Sequence, residues 1–442
     1  MMTARSSNLL TFGKLLIALL LGLPVVLLLL TLQLTPSVPA SRSIDDDDIR
    51  AIEQLIVDNA PKQISSIDQR RLQLNREEMN LLAAFALQTI PGLQDLSADV
   101  TLGEGSASID LVLPWRTPVM SLYTNLHARI RQQDGALELY DVRAGHLPVP
   151  TALVRGAIRT AERILIANYV NYQELSTLQQ RVSDVVFETE TVAITLDWQP
   201  DMMTQVQAQA EQLLLSAEEK DRILRYYMQI AEIVTALPPD TKSISLNELL
   251  FPLFRIASVR AANDREAITE NRNLLQALSL YVNEADIRVL EGTTSVIGAT
   301  PVRRVEVTLQ RRSDLAQHLT TSAAITASAG AGIAGILANS KETYDARYRS
   351  GFSFSDLTAN SAGVALGNAA TSNVADALAL QQKLANAIQE SDYMPPVSRD
   401  LVGLSETDFS QQYQDRNSQA YLAKVAAIDL EIASLPIYSG IQ

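Results

Sequence analysis

A long apolar run lies near the start of the chain. Residues 15–34 carry no charge and consist largely of leucine, and a helix of that length is about 30 Å long, the thickness of a bilayer's hydrocarbon core. Arg5 and Lys14 precede the run, and four aspartates follow it at 45–48. Because positive charge favours the cytoplasmic side, the pattern predicts a cytoplasmic stub and transmembrane anchor over 1–40, with the bulk of the chain exported.

A cleaved signal peptide is the alternative interpretation of this run. Val38-Pro39-Ala40 offers small residues to a signal peptidase, but the apolar part of a cleavable signal usually spans about 7–15 residues. The run exceeds that length, so the sequence favours an uncleaved signal-anchor. In a bacterium this topology predicts a single-pass protein of the inner membrane with most of its chain in the periplasm.

Alternating apolar and polar residues dominate the next part of the chain, over 100–113, 122–142 and 185–198. This period is typical of strands with one polar face. Asn75 and Glu78 have the spacing of a capping box, which predicts a helix over 76–88. We therefore expect an α+β membrane-proximal domain over residues 45–200, with helices beside a mostly antiparallel sheet.

Helical periodicity replaces alternation after Pro200. The spacing predicts helices over 205–237, 245–261 and 266–282, the second opened by a capping box at Ser245 and Glu248. Residues 304–309 alternate again, as one strand that could return to the sheet. We expect a helical middle region over 201–300 and a mainly α-helical C-terminal domain over 301–442.

Residues 319–338 are also uncharged, which raises the question of a second membrane span. Their many Ser, Thr, Gly and Ala residues contribute little to membrane insertion. Small residues four apart allow two helix backbones to approach closely. The sequence therefore favours a tightly packed helix, with the Ala- and Gly-rich residues 362–380 as its partner, over contact with the membrane.

Composition excludes several classes of function. The net charge of −14 argues against nucleic acid as a partner, and the absence of cysteine excludes disulfides, thiol nucleophiles, zinc-thiolate sites and iron–sulfur clusters. Only three histidines occur, at His127, His146 and His318. No phosphate-binding loop, dinucleotide motif or nucleophile elbow is present in the sequence, so no cofactor is predicted.

One group of residues could carry chemistry. Asp314 and His318 are four apart on a predicted helix and so share a face, and Glu342, Asp345 and Asp356 follow. Imidazole titrates near neutrality and carboxylates can orient it, so the candidate acid–base residues are Asp314, His318, Glu342 and Asp356. His318, Glu342 and Asp345 are the candidate ligands of a mixed nitrogen and oxygen metal site.

The same residues also have structural interpretations. Ser353 and Asp356 have the spacing of a helix cap, and Asp314 in a first helical turn favours the helix dipole. His318 could be a structural histidine without a chemical role.

Residues 305–370 resemble the YfiM-type family of bacterial envelope proteins. The resemblance rests on Asp-x-x-x-His at 314–318, Lys-Glu-x-x-Asp at 341–345, and Ser-Gly-Phe-Ser-x-x-Asp-Leu at 350–357 followed by Gly363. Relatives carry Lys two residues before the His, where this chain has Ala316. Residues 70–165, which include Gly-His-Leu-Pro-Val-Pro at 145–150, are more loosely similar to the YpmS-like single-pass membrane proteins. The second resemblance implies that the sheet domain cradles an apolar ligand.

These observations lead to a functional expectation. The sequence predicts a membrane-anchored periplasmic envelope protein that binds a lipid or a protein partner in envelope maintenance, and it favours a role without catalysis. The alternative is an envelope hydrolase or a metal-dependent enzyme centred on His318.

Overall fold

The computed structural model describes the chain as a mixed α/β protein with antiparallel sheets and, in the described residues, ten α-helices. This confirms the predicted class. The described residues are 30–39, 44, 48, 51–52, 55, 68–89, 93–117, 120–133, 136–168, 182–198, 217–261, 266–285, 302–329, 351–386, 389–397 and 403–441.

The chain divides into two compact units. The sheet unit comprises residues 1–45, 70–162 and 182–196, and the helical unit comprises 46–69, 163–181 and 197–442. None of the helices in the ranges above is both long enough and apolar enough to cross a bilayer.

A six-stranded antiparallel sheet forms the main part of the sheet unit. Five of its strands run in the order β3-β4-β5-β6-β7. Their bounds are β3 Ser97–Gly103, β4 Ser106–Arg116, β5 Ser121–Gln133, β6 Ala136–Ala144 and β7 Leu147–Pro148. Glu104 and Gly105 form the two-residue turn between β3 and β4, where Gly105 has φ +69°, a conformation that glycine adopts without strain.

The sixth strand, β1 (Leu32–Gln33), pairs with β5 opposite Thr124 and Tyr123. The last residues of the predicted span over 15–34 therefore belong to the sheet unit. A strand was not predicted there because two residues are too few to show alternation. The part of the predicted span before Leu30 lies outside the described residues.

A smaller sheet of three strands completes the sheet unit, in the order β2-β9-β8. The strands are β2 Asp68–Asn75, β8 Val182–Phe187 and β9 Thr191–Trp198. Helix α1 (Arg76–Thr89) follows β2 and begins at the predicted capping box. The amide of Glu78 donates to Oδ1 of Asn75 at 3.0 Å, and the amide of Asn75 donates to Oε2 of Glu78 at 2.7 Å.

Helix α2 (Thr151–Asn168) follows β7. It is unusual in that nearly all of its described side chains are exposed to solvent. A helix with apolar residues at helical spacing normally buries that face.

The helical unit contains the remaining eight α-helices of the described residues. They are α3 Ala217–Ala236, α4 Asn247–Arg260, α5 Glu266–Val282, α6 Ser313–Ala329, α7 Phe354–Thr371, α8 Val374–Leu384, α9 Glu406–Tyr413 and α10 Gln419–Ala433. Helix α5 has the predicted bounds and lies at the centre, with every residue from Asn273 to Val282 buried.

One hydrophobic core joins these helices. It contains Tyr226 and Leu250 from the predicted middle region, and Leu319, Leu366 and Ile428 from the predicted C-terminal domain. The boundary predicted at residue 300 therefore does not separate two cores. Sequence periodicity shows which face of each helix is apolar but not which other helix covers it.

Two short strands in the helical unit correct two sequence predictions. β11 (Glu306–Thr308) pairs in parallel with β10 (Ser243–Ser245) and does not return to the large sheet. The capping box predicted at Ser245 is also wrong, because the N-cap of α4 is Leu246, which forms no side-chain cap hydrogen bond. Ser245 lies in β10 and donates to Glu390 instead, at 2.6 Å.

Helices α6 and α7 pack closely against each other, as the small residues predicted. A Cβ placed on Gly367 would lie 2.6 Å from the carbonyl oxygen of Ala323, and one on Gly363 would collide with the carbonyl of Leu319. Glycine at these two positions, four apart, lets the backbones touch. Residues 330–338 of the predicted helix lie outside the described residues.

Candidate functional site

The candidate site begins at a tight turn before α6. Leu309 and Arg312 exchange backbone hydrogen bonds of 2.9 and 3.0 Å around the turn residues Gln310 and Arg311. These two residues have φ of +51° and +63°. Left-handed backbone costs a non-glycine residue about 1 kcal/mol or more, so the turn is held in place by its contacts.

Those contacts include the side chain of Arg312, which binds two carboxylates. Its Nε donates to Oδ1 of Asp314 at 3.0 Å, and its Nη2 donates to both Oδ2 of Asp314 and Oδ1 of Asp356, the latter at 3.0 Å. Asp314 lies in the first turn of α6, and Asp356 lies in the first turn of α7. One guanidinium therefore links the turn to the N-terminal ends of both helices.

His318 lies next to this ion pair, one turn along α6 from Asp314. Its Nε2 is 3.6 Å from Oδ2 of Asp356, and its Nδ1 is 3.1 Å from Oδ1 of Asn360. The hydroxyl of Ser322 donates to the same Asn360 oxygen at 3.0 Å. Both contacts on Asn360 come from α6, so the amide holds α6 to α7.

The site is largely closed to solvent. The side chain of His318 is 12 % exposed, those of Arg312 and Asp356 are 16 % and 17 % exposed, and only Asp314, at 48 %, is substantially accessible. Charges in such a position must be paired. Arg312 donates to both carboxylates, and His318 lies beside Asp356.

Burial and nearby charge shift the pKa of Asp314 in opposite directions. Burial alone raises the pKa of its carboxyl, but the hydrogen bond and charge of Arg312, with the amide of Leu315 and the nearby His318, hold that pKa below its ordinary value. The hydrogen bonds that Arg312 donates to Asp314 raise the pKa of the Arg312 guanidinium. Both groups stay charged near neutral pH.

The structure brings together three of the four predicted acid–base candidates: Asp314, His318 and Asp356. Glu342, the fourth, and Asp345, the other predicted metal ligand, lie outside the described residues. The predicted cap is also present, because the amide of Asp356 donates to the Ser353 hydroxyl at 3.1 Å. Asp356 thus has both of its predicted roles, at the start of a helix and in the polar cluster.

Sequence reasoning missed Arg312, Ser322 and Asn360. Arg312 is two residues before Asp314, a spacing that places two residues on different sides of a regular helix, and only the turn brings them together. For Ser322 and Asn360, the sequence does contain a signal, which is their spacing from residues already proposed. Ser322 is four residues after His318, and Asn360 is four after Asp356, so each continues a helix face that already carries a candidate.

Two buried donors in the cluster have no protein partner, Nη1 of Arg312 and Nδ2 of Asn360. An oxygen acceptor would satisfy either. Within the described part of the chain, no group of three or more His, Asp or Glu residues is arranged to hold a metal ion. The described cluster is thus a set of mutually paired groups with two spare donors.

A second polar feature lies on the other side of the turn, an open pocket of about 560 Å³. Glu390 lies in its wall and accepts from the Gln310 amide at 2.7 Å and from Ser245. The side chain of Gln310 donates to the carbonyl of Pro395 at 2.8 Å and accepts from the amide of Val397 at 3.1 Å. The strained turn is therefore anchored on both sides.

No family model, no curated protein and no solved structure matches this chain. The resemblances to YfiM-type and YpmS-like proteins remain predictions from the sequence.

Proposed function

We propose that this chain is a single-pass protein of the bacterial inner membrane whose periplasmic part maintains the envelope by binding a lipid or a protein partner, without catalysis. The proposal rests on the way the apolar run joins the sheet unit. The run ends at Leu34, yet β1, within it, already pairs with β5. The sheet unit therefore begins without a linker.

Buried contacts fix the segment that follows β1. Asn125 in β5 donates to the carbonyl of Thr35 at 3.0 Å, accepts from the amide of Ser37 at 3.1 Å, and also donates to Gln33. Val38 is buried. Cleavage after Ala40 would remove all of these contacts together with the buried side chain of Val38, which favours an uncleaved anchor.

The sheet unit also offers apolar surface to a ligand. Nine of the twelve exposed large apolar side chains in the described residues belong to it, and three belong to the helical unit. The nine are Leu30, Leu34, Trp115, Met120, Leu126, Leu137, Leu153, Ile158 and Val182. Exposed apolar side chains concentrated on one unit are typical of surfaces that bind lipid or protein.

The first test concerns topology. In spheroplasts that express the full chain, we expect added protease to digest the helical unit, while the protein stays in the membrane fraction after alkaline extraction. The intact mass should include residues 1–40. A mass that lacks them, or a helical unit cut only after the spheroplasts are lysed, would overturn the proposal.

The second test concerns the bound molecule. Full-length protein purified in mild detergent should carry lipid detectable by mass spectrometry, and Leu137→Glu should lower the lipid-to-protein ratio. Val259→Glu is the matched control, because Val259 is an exposed apolar residue of the helical unit. A pure protein with neither lipid nor a co-purifying partner, or an equal loss in both variants, would contradict binding by the sheet unit.

The rival function is an envelope hydrolase or metal-dependent enzyme centred on His318. The small exposed fraction of His318 and the pairing of Asp356 with Arg312 weigh against it, because a general acid or base must reach its substrate. His318→Gln keeps much of the shape and hydrogen bonding of the side chain. If this variant folds normally yet fails to complement a deletion strain, or if the pure protein holds stoichiometric metal, the rival gains support over binding alone.

A further inference from the structure

Helix α2 presents an apolar surface to solvent. Leu153 is 65 % exposed and Ile158 is 47 % exposed, and Val154 lies between them on the same side of the helix. Leaving large apolar side chains in water on a helix of eighteen residues is unfavourable. A surface of this kind usually has a partner in the cell.

The other side of α2 is basic. Arg155, Arg159 and Arg163 recur every four residues and so form one row along the helix. Among the described contacts, the three guanidinium groups have no carboxylate partner, and Arg155 contacts only Thr151 of its own helix, at 3.4 Å. This row is conspicuous in a chain whose net charge is −14. A basic row opposite an apolar one is typical of helices that lie on anionic membranes.

The position of α2 indicates which membrane. The amide of His146 donates to the carbonyl of Leu30 at 3.2 Å, and a Cβ on Gly145 would lie 2.7 Å from the same oxygen. The turn between β6 and β7, which precedes α2, is thus packed on the end of the apolar run. Thr151, the start of α2, is five positions after His146, a reach of at most about 17 Å.

We propose that α2 lies in the surface of the bilayer that holds the apolar run, with Leu153, Val154 and Ile158 among the outer acyl chains. Arg155, Arg159 and Arg163 then reach the phosphate groups of anionic lipids. This inference rests on the anchor proposed above. It adds a second membrane contact, which would hold the sheet unit against the bilayer.

The absence of cysteine from the chain allows a direct test. Full-length Ile158→Cys carrying a nitroxide is placed in nanodiscs of phosphatidylglycerol and phosphatidylcholine. We expect the label to collide several-fold less with a water-soluble nickel chelate than it does in detergent, and more with oxygen. Val259→Cys is the control, because Val259 is 80 % exposed on α4 and should stay accessible to the chelate.

Removing the arginines tests the role of charge. Each single substitution, added to Ile158→Cys, should lower the ratio of buried to exposed label about fivefold. The substitutions are Arg155→Gln, Arg159→Gln and Arg163→Gln. All three together should lower the ratio further. Nanodiscs of phosphatidylcholine alone should have a similar effect. If neither the arginine substitutions nor the change of lipid alters the accessibility of the label, another surface covers α2. That result would overturn the inference.

The two proposals fail in different ways. If the protein does not co-elute with nanodiscs, the anchor is wrong. If it co-elutes but the label at residue 158 is as accessible as the label at residue 259, the anchor stands and only the membrane contact of α2 is wrong.

Discussion

Arg312 donates to Asp356 at 3.0 Å, and this contact joins the turn before α6 to the first turn of α7. Both side chains are more than four-fifths buried. A buried charge that loses its partner is costly, because water cannot replace the missing interaction. The contact therefore makes the position of the turn depend on α7.

We expect Asp356→Asn to lower the free energy of unfolding by about 3 kcal/mol, since it leaves Arg312 with Asp314 as its only carboxylate. The measurement is chemical denaturation of the full chain. Asp314→Asn is the control, because Asp314 is half exposed and a surface ion pair contributes only about 0–1 kcal/mol. Equal losses in the two variants would contradict this view of the cluster.

The lowered pKa of Asp314 predicts that the stability of the fold depends on pH. Because its pKa is lowered in the folded protein, its charge stabilises the fold above the unfolded pKa of about 4, and this contribution is lost as the pH falls through the folded pKa. The stability difference between wild type and Asp314→Asn should therefore shrink steadily below about pH 4. Denaturant titrations between neutral and acid pH measure it, and a difference that grows in acid would refute the lowered pKa.

Close packing of α6 on α7 predicts that Gly367→Ala destabilises the helical unit. Alanine normally stabilises a helix by about 1 kcal/mol relative to glycine. Here the added methyl group meets the Ala323 carbonyl, and overpacking costs about 1–3 kcal/mol. Gly156→Ala in α2 is the matched control, since nothing lies within 4 Å of its Cβ position. The thermal midpoint should fall for the first variant and rise for the second.

Asn125 should hold the segment after the apolar run. We expect Asn125→Ala to speed hydrogen exchange of the Ser37 amide several-fold, because that amide loses its acceptor. Gln132→Ala on the same strand removes only a surface contact with Asp184 and serves as the control. Unchanged exchange at Ser37 would mean that the β1 pairing alone holds the segment, and would weaken the argument against cleavage.

Local signals in the sequence determined a large part of this protein. The capping box at Asn75 and Glu78 set the start of α1, and apolar periodicity gave α5 with both of its bounds. The four-residue spacing of Asp314 and His318 placed them together on α6. These features depend on residues within one or two helical turns of each other, so a sequence pattern contains all that is needed to predict them.

Other features were decided only by the tertiary structure. The alternation over 304–309 predicted a strand, but its parallel pairing with β10 joins residues about sixty positions apart, as in Ser243 opposite Glu306. Arg312 enters the cluster because Gln310 and Arg311 adopt positive φ, which their residue types do not favour. Asn360 is a partner of His318 only because Gly363 and Gly367 bring α7 against α6. The sequence specified which faces and charges were available, but their pairing depends on contacts between residues far apart in the chain, which no local pattern encodes.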